Sequence, residues 1–166
     1  MKHDPPNPKI EKFLDSSPAR EGFWQLEIDC YWARQIPDRS DLQAIARFGE
    51  TMVAAWALRC GWNVMFERKR HRGFELDLVL RRQEEVRIVE IKTRLCPMRP
   101  PDMNIVAGWL SHKKQQAMRR GARHLLGELQ SKFVSFRSIT GELVAIDLLH
   151  ENRALAYRWP DAFSLE

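Results

Sequence analysis

Two short apolar runs carry charge where a strand would ordinarily bury hydrocarbon, and that placement constrains the chain more than any other feature. Phe74-Glu75-Leu76-Asp77-Leu78-Val79-Leu80 and Val86-Arg87-Ile88-Val89-Glu90-Ile91-Lys92 both read as β-strands across a short polar turn. Alternation predicts that Glu75, Asp77 and Val79 share one face of the first strand. It likewise puts Glu90 and Lys92 on a face with Val86 and Ile88. Pairing across the turn would bring Asp77 close to Glu90. Two carboxylates and an ammonium would then meet among apolar neighbours at the end of a sheet. Buried charge is costly unless a metal ion or another cation neutralises it, so the cluster calls for a chemical reason.

Periodicity organises the rest. A helix is expected from Asp41 to Cys60. Ser40 and Gln43 make a capping-box pattern at its start, and Gly61 supplies the stop. Leu42, Ile45, Ala46, Gly49, Met52, Val53, Trp56 and Cys60 recur at helical spacing. Strands are expected near 62–68, 74–81 and 85–93. A connector holding Pro97, Pro100 and Pro101 leads to a helix from Val106 to Leu129, with Met118, Ala122, Leu125, Leu126 and Leu129 facing the core. Further strands are expected near 133–139, 142–149 and 153–159. The order α-β-β-β-α-β-β, with a final strand to follow, describes an α/β domain: a mixed β-sheet flanked by α-helices. That domain is read as residues 41–166. Residues 1–40 are read as a polar, proline-rich tail followed by an aromatic segment, 21–36, that packs on the domain as a helix or a docked strand.

At 166 residues the chain can bury a substantial core. Its three cysteines, Cys30, Cys60 and Cys96, are widely spaced and form no CxxC pair, which argues against a disulfide framework and a zinc site. No apolar h-region opens the chain, and no apolar run approaches the roughly 20 residues of a membrane span; the expected location is cytoplasmic, with no membrane partner. A net charge of +5 favours an anionic partner. The basic residues crowd around the carboxylates, at Arg68, Lys69, Arg70, Arg72 and Arg94, and again at Lys113, Lys114 and Arg120 in the second helix. Beside a phosphate-handling centre, Lys69, Arg70, Arg72, Arg94, Lys113, Lys114 and Arg120 are read as nucleic-acid contacts; a solvated turn and an ordinary helix surface are the plain alternatives.

Glu50 lies in the first helix among alanines and borders its buried stripe. If that helix packs over the strand ends, Glu50, Asp77 and Glu90 converge. A few carboxylate oxygens, with waters and a substrate phosphate, suit Mg²⁺ or Mn²⁺. Lys92 would offset charge building on a phosphorane-like centre. No serine or cysteine sits beside a histidine at a spacing useful for covalent catalysis. His71, His112 and His124 lack metal-ligand spacing, and Trp109 and Asp147 are read as structural; Glu75 is read as either a member of the site or an arginine partner.

Asp77 followed by Glu90-Ile91-Lys92 resembles the D…(D/E)xK signature of the PD-(D/E)XK nuclease superfamily. The fuller pattern is similar to the YraN-like family, predicted endonucleases distantly similar to Holliday-junction resolvases. It comprises Phe48-Gly49-Glu50, Cys60-Gly61-Trp62, Glu75-Leu76-Asp77-Leu78-Val79, Ile88-Val89-Glu90-Ile91-Lys92-Thr93-Arg94, Lys113 or Lys114, Ile146-Asp147-Leu148 and Asp161-Ala162-Phe163. The resemblance implies a restriction-endonuclease-like core, metal-binding roles for Glu50, Asp77 and Glu90, and Lys92 as the catalytic lysine. It implies a Mg²⁺- or Mn²⁺-dependent endonuclease acting on DNA, with branched or structured DNA as the suggested substrate and a homodimer as the assembly suited to a junction. A catalytically silent nucleic-acid-binding module on the same fold is the alternative. One departure is Phe74, which stands where the family usually places a glycine before the glutamate matching Glu75.

Overall fold

The computed structural model of the chain describes residues 22–27, 36–97, 99, 101–149 and 153–165. The expected tail, residues 1–20, lies outside the described residues, as do residues 28–35 of the aromatic segment. The elements are strand β1 (Gly22–Glu27), helix α1 (Leu42–Arg59), strands β2 (Asn63–His71), β3 (Phe74–Arg82) and β4 (Glu85–Leu95), helices α2 (Met103–Trp109) and α3 (His112–Ser131), and strands β5 (Ser138–Leu148) and β6 (Arg153–Trp159). The strands form one six-stranded sheet in the order β1-β6-β5-β4-β3-β2. Only β4 and β5 run parallel; the other neighbours are antiparallel. Parallel neighbours need a crossover connection, and α2 and α3 make it. The mixed sheet with flanking helices is therefore as expected. The order differs in detail, because β1 is added at one edge and the second helix is divided.

Apolar layers cover both faces. Ile45, Phe48, Met52, Val53, Trp56 and Ala57 of α1 pack on Leu78, Leu80, Val89, Ile91, Val144 and Ile146. Met118, Ala122, Leu125 and Leu129 of α3 pack on Leu76, Val79, Val86, Ile88 and Leu143. Alternate residues of β4 belong to different layers, so α1 and α3 lie on opposite faces of the sheet. Each large side chain buried in this way contributes about 1.5–3 kcal/mol.

Four local expectations are corrected, each for a physical reason. Asp41, not Ser40, caps α1: its carboxylate accepts from Ala44 N–H at 2.9 Å, while the Ser40 hydroxyl donates to Asp38 at 2.7 Å. Leu42 and Ala46 are exposed and fall outside the buried stripe of α1. The single helix 106–129 is broken at Leu110–Ser111, because Ser111 turns its hydroxyl to Lys114 N–H and starts a new helix. No strand forms at 133–137, and β5 runs unbroken from Ser138 through Gly141 to Leu148, so the two strands expected near 133–139 and 142–149 are one. Gly141 makes room for Phe163, whose ring would lie 2.3 Å from a Cβ at that position. Finally, the alternation of β3 does not hold through Asp77. Leu76 packs on the α3 side and Leu78 on the α1 side. The pairing of β2 with β3 skips Arg68 opposite Asp77, and Arg68 takes φ +49°. Glu75, Asp77 and Val79 therefore do not share one regular face.

Gly49 sets how closely α1 approaches β4. A Cβ there would stand 1.9 Å from Thr93 Oγ1 and 3.1 Å from Thr93 Cβ. Gly49→Ala should destabilise the protein by about 2 kcal/mol through overpacking, read from urea unfolding. In a Gly49→Ala/Thr93→Ala chain the 1.9 Å clash with Oγ1 is removed, leaving the 3.1 Å approach to the Cβ of residue 93, and most of alanine's helix advantage of about 1 kcal/mol returns. A double mutant no more stable than the sum of the singles would show that Thr93 is not the obstacle.

Candidate carboxylate and lysine site

Strand β3 pairs with β4 from Arg82–Glu85 only as far as Leu78–Val89. Beyond that point β4 continues to Leu95 against β5, and β3 leaves it. Parting strands strand their amide groups, and a buried N–H without an acceptor costs about 1–3 kcal/mol. Asp77 meets that need: its Oδ2 accepts the N–H of Ile91 at 2.9 Å. The next carboxylate, Glu90, is wholly buried on the α3 side of β4. Lys92, two residues on, donates to Glu90 Oε1 at 2.6 Å. Lys114, in the first turn of α3, places its ammonium 2.7 Å from Glu90 Oε2. That approach supplies charge without hydrogen-bond geometry, so Oε2 is a buried oxygen that accepts no hydrogen bond.

The electrostatics follow from burial and crowding. Burial first, then the Glu90 charge, pushes Asp77 up to about 7, against the opposing pull of the Ile91 N–H, Lys114 and Lys92. Burial acts to lower Lys114, but the charge and contact of Glu90, aided by Asp77 and Glu75, hold its pKa above the usual lysine value. Burial also raises Glu50, with Glu75 and Glu90 adding to the effect and Arg68 and Arg47 opposing it. Glu75 shows the reverse balance: burial would raise it, and Arg70, Arg68 and Lys114 together hold it low.

The expected residues are thus divided. Asp77, Glu90 and Lys92 come together directly. Glu50 reaches the same opening from α1, on the other side of the sheet, and its nearest cation is Arg68 at 3.7 Å. Arg68 also lies 3.4 Å from Glu75, linking α1 to β3. Among the described residues no group of three His, Cys, Asp or Glu side chains is arranged to enclose a metal ion. The donor set nevertheless fits a hard cation in the open manner typical of Mg²⁺, with one or two carboxylates and the remaining positions left to water and phosphate. Asp77 and Glu90 are those carboxylates, and Glu90 Oε2 is the oxygen without a hydrogen bond.

Several basic residues read as nucleic-acid contacts have internal partners. Lys69 bonds Glu128 at 2.6 Å and lies over the Phe66 ring. Arg70 holds Glu75 at 2.9 Å, and Arg120 donates to the Gly73 carbonyl at 2.9 Å. Arg94 forks onto buried Asp147 at 2.6 and 2.5 Å and faces Trp109, consistent with the structural reading of Asp147 and Trp109. Arg72 and Lys113 are exposed. Lys114 belongs to the centre itself, which the sequence reading missed. A signal was present: α3 opens with Lys113 and Lys114 and no acid in its first turn. Cations at the positive end of a helix dipole are unfavourable unless an anion faces them, and that anion is Glu90.

Fold and site together define a mixed α/β protein with paired carboxylates and paired lysines where two strands part. The chain belongs to the uncharacterised protein family UPF0102, whose model matches residues 49–150, from the glycine before Glu50 to just beyond β5. A UPF0102 protein of Synechococcus sp. (strain JA-3-3Ab) is 39% identical over 59 residues, covering 36% of this chain and 45% of that protein. A UPF0102 protein of Chloroherpeton thalassium (strain ATCC 35110 / GB-78) is 28% identical over 127 residues, covering 74% of this chain and 91% of that one.

Asp77 makes stability depend on pH in a defined direction. Its folded pKa of about 7 lies above the ordinary 3.8, so folding favours the protonated form. The contribution is full below 3.8 and is lost as pH rises through about 7. In chelator-treated protein, urea unfolding should therefore show stability falling across this window relative to Asp77→Asn, which cannot titrate. Parallel curves for the two proteins would remove the assignment.

Proposed function

We propose that this protein is a metal-dependent nuclease of the PD-(D/E)XK type, with a restriction-endonuclease-like core, that hydrolyses phosphodiester bonds in DNA. The observation that carries the reading is Asp77 and Glu90 held together beside Lys92 at the point where β3 leaves β4. Asp77 and Glu90 would hold Mg²⁺ or Mn²⁺, with Glu50 at the rim, and the bound ion would polarise a phosphoryl oxygen and acidify water. Lys92, fixed by Glu90 and still about one-third exposed, presents its ammonium to the opening. There it orients the attacking water and offsets charge on the phosphoryl oxygens. Arg72 and Lys113, both exposed, are the cations best suited to flanking backbone phosphates. A four-way junction presents equivalent strands, so a junction substrate would suit a symmetric dimer of this chain.

The ion pair of Lys114 with Glu90 favours one other reading, a nucleic-acid-binding module whose carboxylates are neutralised internally and never turn over. Labelled duplex, single-stranded, flapped and four-way-junction DNA, incubated with Mg²⁺ or Mn²⁺, separates the two. The nuclease cuts at least one of them, and Asp77→Ala and Lys92→Ala each lower the rate by at least about 100-fold. Undiminished cutting by either folded variant would sink the assignment. Tight binding with no cutting by the wild type would favour the binding module.

A further inference from the structure

The two lysines on Glu90 are not equivalent. Lys92 donates a hydrogen bond to Oε1 from the same strand, so its backbone is fixed relative to the carboxylate. Lys114 approaches Oε2 from the first turn of a helix on the covering layer, at 2.7 Å and without hydrogen-bond geometry. Its side chain keeps about a quarter of its surface exposed, whereas that of Glu90 has none. The four-carbon stem can therefore carry the ammonium outward while the carboxylate stays. Outward lies the start of α3, with exposed Lys113 and His112 and no acid in the first turn. Glu90 is the anion that Lys114 contacts directly.

Resting on the nuclease reading, we propose that Lys114 is an exchangeable cation on Glu90, occupying the metal-facing oxygen until a phosphodiester draws it away. Ammonium and divalent ion compete for Oε2, because a second positive charge beside the first is repelled. A DNA phosphate at the start of α3 offers Lys114 an alternative partner and frees Glu90 for the metal. Metal and DNA then reinforce each other by the same factor, as linkage requires. Lys114 is a positioning residue in this scheme: it acts through Glu90 and keeps the free protein from loading its metal fully without substrate.

The test measures binding rather than cutting. Mn²⁺ affinity is determined by calorimetry on the full chain without DNA, for wild type, Lys114→Met and Lys114→Gln. Affinity for a labelled phosphorothioate duplex is then measured with and without Mn²⁺. Removal of the competing ammonium should tighten Mn²⁺ binding about tenfold, and the mutual tightening of Mn²⁺ and duplex should shrink by a similar factor, to what direct contact of the ion with a phosphate supplies. Should Lys114→Met not fold, Lys114→Gln decides. Equal or weaker Mn²⁺ binding by a folded variant, with the wild type binding normally, would overturn the exchange and leave the nuclease reading standing. No Mn²⁺ binding by wild type or variant would overturn both.

Discussion

The hydrogen bond from Ile91 N–H to the Asp77 carboxylate allows a sheet to open without leaving a buried donor unpaired. Strands β3 and β4 separate beyond Leu78–Val89, and a side chain takes over where the ladder ends. The same bond draws Asp77 inward, beside Glu90, so opening the sheet and assembling the carboxylates are one event. Strand β2 accommodates the change at Arg68, whose φ of +49° is a conformation that ordinary side chains avoid. Backbone strain of this kind costs on the order of 1–3 kcal/mol. Arg68 is held there between Glu50 and Glu75.

Charge balance then shapes everything around the opening. Burial first, and then repulsion from the Glu90 carboxylate beside it, push Asp77 up towards neutrality. Lys92 from β4 and Lys114 from α3 provide the opposing charge. The helix supplying Lys114 is in place because parallel β4 and β5 require a crossover, and that crossover lays α3 over the face on which Glu90 points. On the other face, α1 comes close enough to bring Glu50 to the opening because Gly49 has no Cβ to meet Thr93.

The net positive charge is less available than a residue count implies. Arg94 is spent on Asp147, and Arg158 and Arg87 both contact buried Glu142. Lys69 and Arg70 are similarly paired. The pairs on Asp147 and Glu142 tie neighbouring strands together, since removing one partner would leave a buried charge with its desolvation uncompensated, whereas the exposed Arg70–Glu75 pair contributes little. Counting Lys and Arg therefore gives the sign of the net charge but includes cations that internal carboxylates neutralise.

Local rules recovered much of this molecule. Alternation located β3 and β4, helical spacing located α1, and the order of carboxylates and lysine singled out Asp77, Glu90 and Lys92 before any packing was known. Each depends on residues near one another in the chain, whose geometry the backbone largely dictates. Some departures are local, as at Asp41 and Ser111; others reflect distant contacts, since Gly141 leaves room for Phe163 and Arg94 is taken up by Asp147 on the neighbouring strand. Lys114 is the clearest case. Its sequence marks only a cation near a helix start. Its place on Glu90 was decided by the crossover that seats α3 against β4, because a buried carboxylate binds whichever ammonium the tertiary packing brings within reach.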